Sequence, residues 1–182
     1  MDNPIERIIF TNEDIQRRNN ELGCQITADF KDRQSDGIVL ITILKGAVVF
    51  MTDLARHIKL ELEYDFMAVS SYLNSTSSQI KPKITQDLTC DITGKHVIIC
   101  EDIIDSGNSM NFIVEYLKEK NPKSVSVAVL LHKHIENASC NVNIDYLGFD
   151  CPQEFVVGYG FDYLQRYRNL PYIGVLKKEL YS

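Results

Sequence analysis

Val97-Ile98-Ile99-Cys100-Glu101-Asp102-Ile103-Ile104-Asp105-Ser106-Gly107-Asn108-Ser109 runs from an apolar strand into a turn loaded with carboxylates and hydroxyls. A β-branched run of this kind reads as a strand buried on both faces, with Cys100 in the core. The strand delivers two adjacent acids, and the turn adds a third acid, a glycine and two serines at a predicted helix start. Such a turn aims several backbone N–H groups at one anion, aided by the helix dipole. Gly107 allows close backbone approach, while Ser106 and Ser109 add hydroxyl donors. Glu101 and Asp102 are acceptors suited to sugar hydroxyls or a hard metal ion. The residues alone leave open an ordinary strand–turn–helix with acids at a helix N-terminus. The segment has no Gly-Lys-Ser/Thr ending and no GxGxxG, so neither a P-loop nor a dinucleotide site fits.

Working outward, Thr11-Asn12-Glu13-Asp14 looks like a helix start, with a capping side chain and acids in the first turn. Ile15, Leu22, Ile26 and Phe30 continue it as a helical apolar stripe to about Lys31. Gly37 to Leu44 is a second buried strand, and a helix is predicted from Ala47 to His57. Leu60 to Val69 reads as a strand, and the polar stretch Ser70 to Lys83 as a long loop of the kind that often acts as a lid. After Gly107 a helix is predicted to about Lys120, then a strand over Ser124 to Leu131. Shorter strands are expected at Asn143–Phe149, Glu154–Gly158 and Tyr172–Leu176. Alternating strands and helices define an α/β fold with a mainly parallel sheet flanked by helices. Ligands bind such sheets at the carboxyl ends of the strands. Leu44-Lys45-Gly46, Glu101 to Ser109, and Lys133 all fall at such ends.

The 182 residues and 45% hydrophobic content fit a single domain spanning residues 1–182. There is no linker, internal repeat or low-complexity tract. Met1 to Arg7 lacks an apolar run, so no signal peptide is expected, and no stretch approaches the ~20 apolar residues of a membrane span. The net charge of −6 argues against a general nucleic-acid binder. The five cysteines, Cys24, Cys90, Cys100, Cys140 and Cys151, are odd in number and lack CxxC pairing, which predicts reduced thiols in a cytoplasmic protein.

The Glu101–Ser109 segment closely resembles the phosphoribosyl-pyrophosphate motif of type I phosphoribosyltransferases. Leu44-Lys45-Gly46-Ala47, Phe155 to Tyr163, and Tyr167 to Leu176 are similar to the hypoxanthine-guanine branch of that family. The resemblance covers nearly the whole chain, with the motifs in order. It implies a central sheet with a small hood subdomain, a flexible lid loop, and a magnesium-dependent transfer from 5-phosphoribosyl-1-pyrophosphate to a 6-oxopurine base.

By the same resemblance Asp105, Ser106, Gly107, Asn108 and Ser109 cradle the 5′-phosphate, and Glu101 and Asp102 hold the ribose hydroxyls with magnesium nearby. Asp105 is the implied general base or acid at purine N7. Leu44, Lys45 and Gly46 form the pyrophosphate loop, with a cis Leu44–Lys45 peptide, and Arg168 contacts pyrophosphate. Lys133 donates to the 6-oxo group, Phe155 stacks on the base, the Val156 backbone reads its edge, and Asp162 lies near the base and a second magnesium. Phe155 could equally be a core residue. Ser71 and Tyr72 match the lid's Ser-Tyr pair, whereas Leu73, Gln79, His132 and His134 depart from the family pattern. A homodimer or homotetramer is implied, without nucleic acid or membrane. The rival readings are a xanthine-preferring transferase, a nucleotide-sensing regulator on the same fold, and a flavodoxin-like signalling domain.

Overall fold

The computed structural model describes residues 3–73, 80–105, 107–133 and 142–181. Strand β1 (Ile5–Phe10) leads into helix α1 (Asn12–Phe30). The helix begins as the acids predict. The Thr11 hydroxyl accepts from Asp14 N at 3.2 Å, and the Asp14 carboxylate accepts from Thr11 N at 3.2 Å, a reciprocal capping box. Its buried stripe is Ile15, Leu22, Ile26 and Phe30, joined by Asn19 and Gly23. Gly23 is there for proximity: a Cβ would overlap His57, its backbone included.

Strand β2 (Ile38–Ile43) and helix α2 (Val48–His57) follow, then β3 (Glu63–Leu73), β4 (Ile80–Gln86) and β5 (His96–Ile104). Helix α3 (Asn108–Lys118), β6 (Ser124–Lys133), β7 (Tyr146–Cys151), β8 (Val156–Val157) and β9 (Ile173–Leu176) complete the regular elements. Six strands form one sheet in the order β4-β3-β2-β5-β6-β7. All its pairings are parallel except β3–β4. A second sheet, β1-β9-β8, is antiparallel and corresponds to the implied hood.

The central strands are buried on both sides, as their β-branched runs predict. Leu40, Ile98 and Leu130 face the core beneath α1 and α2. Val39, Ile41, Val97, Ile99, Val127 and Val129, on the alternate positions of the same strands, face the opposite core, which contains Met110, Ile113 and Leu117 of α3. The alternation follows from the two-residue period of a strand.

One expectation is corrected, and one strand was not foreseen. Ser70 to Lys83 is not simply a loop. Strand β3 continues to Leu73, and β4 returns antiparallel beside it, pairing Ser70 with Lys83 and Leu73 with Ile80. This ribbon is polar, so its sequence lacks the apolar alternation that marks a half-buried strand. Residues 74–79, including Gln79, lie outside the described residues, and with them most of the expected lid. The first strand, β1, was missed by sequence reasoning because its outer positions are charged and it is completed by β9, far away in the chain. Among the described residues no helix is long and apolar enough to cross a membrane.

Asp65 ties β3 to the segment before β5. It is 3% exposed, and its carboxylate accepts from Thr89 N at 2.7 Å, Cys90 N at 2.8 Å and Phe66 N at 2.8 Å. Burial opposes the charge, but the backbone donors of Cys90 and Phe66 outweigh it and hold the pKa below the ordinary value. A lowered folded-state pKa stabilises above the unfolded value and loses that contribution as pH falls through the folded one. Asp65→Ala is expected to destabilise the fold by about 2–3 kcal/mol at neutral pH, measured by urea unfolding. The deficit should shrink as pH drops below about 4, the range in which an unfolded aspartate protonates.

Candidate active site

Strand β5 carries Glu101 and Asp102 near its carboxyl end, and Asp105 sits exposed at the bend beyond it. Gly107 then takes φ 73° and ψ −5°, a left-handed geometry that non-glycine residues resist, and α3 starts at Asn108 with no side-chain cap. The first-turn N–H groups of α3 therefore face the bend as donors. A cavity of about 240 Å³ opens here. Glu101, Asp102, Asp105, Gly107 and Ser109 form its polar wall, against Ile43, Val69, Met110 and Ile113. Ser106 lies outside the described residues.

Two neighbouring carboxylates are costly to bury charged. Burial first, and then the charge of Asp102, holds Glu101 well above the ordinary carboxylate range. Burial also raises Asp102, against a hydrogen bond from Glu101, backbone donors and the positive charge of Arg168. Glu101 keeps some exposed surface, yet its Oε2 is enclosed without a partner. An enclosed acceptor of that kind suits a ligand that brings its own donor or cation.

The segment after β2 meets this wall directly. The Leu44–Lys45 peptide is cis, as the resemblance implies. A Cβ on Gly46 would overlap the Asp102 carboxylate, so only glycine lets the loop lie on the acid pair. On its far side the Gly46 carbonyl touches Gly160, where a Cβ would overlap it. The Gly160 carbonyl in turn accepts from Arg168 Nη1 at 2.7 Å. Arg168 pairs with Asp162 at 2.7 Å, and Gln165 accepts from Arg168 Nη2 at 3.3 Å and from Lys45 Nζ at 3.5 Å. Gln165 was missed by sequence reasoning. Its backbone φ of 63°, unusual outside glycine, has no local signature, and the bridge it makes spans 120 residues.

Lys133 ends β6 on the same edge of the sheet and lies opposite Cys151 of β7. Phe155 is not the core residue of the competing reading. It is 38% exposed, stacks on Tyr181 at 5.0 Å, and meets Tyr163 edge-on at 5.7 Å. Val156 is buried in β8 opposite Val175. Ser71 and Tyr72 lie in β3 rather than in a loop. His132 ends up beside Ile104 and Asp150 in register, and His134 is outside the described residues. Asp162 is held by Arg168 and Gln165 N, at 2.7 and 2.8 Å. Among the described residues no three His, Cys, Asp or Glu side chains gather as a metal cage.

A parallel sheet, an acid pair under a glycine loop, and a helix N-terminus that follows a left-handed glycine meet at one cavity, an arrangement able to receive an anionic, hydroxyl-bearing ligand. The family model described as phosphoribosyl transferase domain matches residues 8–164. The hypoxanthine-guanine phosphoribosyltransferase of Bacillus subtilis is 44% identical over all of this chain and 99% of its own length. The bifunctional protein TilS/HprT of Listeria innocua is 47% identical over all of this chain, which spans only 28% of that protein's length. A crystal structure of a hypoxanthine phosphoribosyltransferase from Staphylococcus aureus superposes with a TM-score of 0.88 at 43% identity, covering 98% of this chain and 95% of the other. The chain belongs to the phosphoribosyltransferase family.

Gly46→Ala is expected to leave the circular dichroism spectrum intact and to lower turnover by about 100-fold or more, because it displaces the loop from the acid pair by roughly the width of a methyl group. Turnover within a few-fold of wild type would contradict the contact.

Proposed function

We propose that this chain, as a single domain, transfers the 5-phosphoribosyl group of 5-phosphoribosyl-1-pyrophosphate to hypoxanthine or guanine, releasing pyrophosphate and IMP or GMP, a purine-salvage reaction. The observation that carries the reading is the convergence of Glu101, Asp102, Asp105 and the α3 N-terminus with the Lys45–Gly46 loop and Arg168. In it the donors of residues 105–109 receive the 5′-phosphate, and Glu101 and Asp102 accept from the ribose hydroxyls. Lys45 and Arg168 neutralise the departing pyrophosphate. Negative potential from the acid pair favours the cationic sugar of the transition state.

Asp105 takes the N7 proton of the incoming base. Lys133 donates to the 6-oxo group, Phe155 stacks on the ring, and the Val156 backbone and Asp162 read its edge. Glu101 and Asp102, with one enclosed unpaired oxygen between them, fit magnesium held mainly by substrate oxygens and water, and Asp162 suits a second ion at the base. When bound, magnesium supplies charge neutralisation of the pyrophosphate. Ser71 and Tyr72 belong to the lid that shields the activated sugar from water. Cytoplasmic location, homodimer or homotetramer assembly, and no nucleic-acid partner complete the reading.

A pyrophosphate-release assay with hypoxanthine, guanine, xanthine and adenine tests it directly. The ammonium of Lys133 offers only donors, so an adenine amine would face it unpaired. Activity with adenine should fall by roughly 10⁴-fold relative to hypoxanthine. Lys133→Gln, with both donor and acceptor, should weaken that preference. Adenine turnover within about 10-fold of hypoxanthine, only ~1.4 kcal/mol, would refute the assignment.

Asp105→Asn should keep the fold and lower kcat by about 100-fold, the usual scale for losing a general acid–base group. Chelation of divalent cations should abolish turnover, and added magnesium should restore it.

A further inference from the structure

Tyr159 is 3% exposed and lies in the turn Gly158–Gly160, the turn that contacts the Gly46 carbonyl and accepts from Arg168. Its backbone φ is 49°, a left-handed conformation that a bulky side chain adopts only when its surroundings hold it there. The ring passes away from the site, into the core beneath α1 and α2. There its hydroxyl donates to Asp53 Oδ2 of α2 at 2.8 Å and accepts from Asn19 Nδ2 of α1 at 2.8 Å. Gln16 of α1 donates to the same Asp53 oxygen at 2.8 Å. Asn19 is fully buried, and its Oδ1 has no partner. A buried amide half-satisfied in this way is a cost to the fold, which the contact of its nitrogen with Tyr159 must outweigh. Burial, and next the hydrogen bond to Asp53, push the Tyr159 phenol far above its ordinary value, so it remains a donor.

Helix α2 starts at Val48, directly after the Lys45–Gly46 loop. One end of the Tyr159 side chain is therefore tied to the helix that leaves the pyrophosphate loop. Its backbone end carries the turn that positions Arg168. We propose that Tyr159 is a positioning residue for pyrophosphate: its hydroxyl, held by Asp53 and Asn19, fixes the spacing between the Lys45–Gly46 loop and Arg168. This rests on the assignment of Lys45 and Arg168 to the pyrophosphate group. A merely stabilising tyrosine would affect folding without favouring one substrate over the other.

The test uses the full chain and compares KM for 5-phosphoribosyl-1-pyrophosphate, KM for hypoxanthine, kcat, and the inhibition constant of pyrophosphate itself. Tyr159→Phe removes only the hydroxyl. It should raise the first KM and the pyrophosphate inhibition constant by about 10-fold, on the scale expected of a sub-ångström misplacement, with KM for hypoxanthine within about 2-fold. Asp53→Ala should reproduce this pattern, and the double variant should be no worse than either single one. Asp53→Asn keeps an acceptor oxygen for the Tyr159 hydroxyl and should behave nearly as wild type, which serves as the deciding comparison if Tyr159→Phe folds poorly. A fall in melting temperature with both KM values unchanged would overturn the proposal. So would a rise in both KM values together, or Asp53→Asn behaving like Asp53→Ala. Arg168→Ala separates the two levels. If it leaves the pyrophosphate constants untouched, the site assignment fails and the proposal with it. If it raises them while Tyr159→Phe does not, only the role of Tyr159 fails.

Discussion

Glycine 46 sits where two other segments need to be. Its α-carbon lies against the Asp102 carboxylate on one side, and its carbonyl lies against Gly160 on the other. Neither contact tolerates a Cβ. The backbone of the loop after β2 therefore lies against the Asp102 side chain at the end of β5 and against the backbone of the turn after β8. The consequence is positional: Lys45 and Arg168 reach a common neighbour, Gln165, although they are far apart in sequence. Close packing transmits such constraints because interiors have little free volume to absorb a displaced group.

The same closeness explains the electrostatics. Burial removes water from the adjacent carboxylates, and together with the charge of Asp102 it makes the ionised form of Glu101 unfavourable. Arg168 offsets part of this at Asp102 and is itself neutralised by Asp162. Charges of both signs are thus concentrated at one end of the sheet in a chain whose net charge is −6. A global excess of acid does not prevent a local anion site, since a helix N-terminus and a few cations decide the field at close range.

The surrounding fold supplies rigidity. Strands β2, β5 and β6 are buried on both faces, so the residues at their carboxyl ends are held by two cores rather than one. The hood combines side-chain and backbone contacts. Arg7 donates to Glu154 at 2.9 Å, Phe10 stacks on Phe149 at 4.2 Å, and Leu176 N donates to the Phe155 carbonyl at 2.9 Å. Phe155, just before β8, is bracketed by its own aromatic neighbours, Tyr163 and Tyr181.

From the residues alone it was legible that β2, β5 and β6 are interior strands, that α1 starts at a Thr11 cap, and that the carboxylates of residues 101–105 precede a helix. Each of these depends on side-chain period, capping chemistry or turn composition within a few neighbouring residues. The polar ribbon from Ser70 to Lys83 was not legible, because its sequence carries no apolar alternation. The Gly46 contacts, the pairing of Asp162 with Arg168, the bridge through Gln165 and the burial of Tyr159 between α1 and α2 were decided by the tertiary structure. Asn19 and Tyr159 are 140 positions apart, and Lys45 and Gln165 are 120 apart. Local periodicity carries no record of contacts made across such separations. They arise only when the sheet order brings the ends of distant strands to one edge.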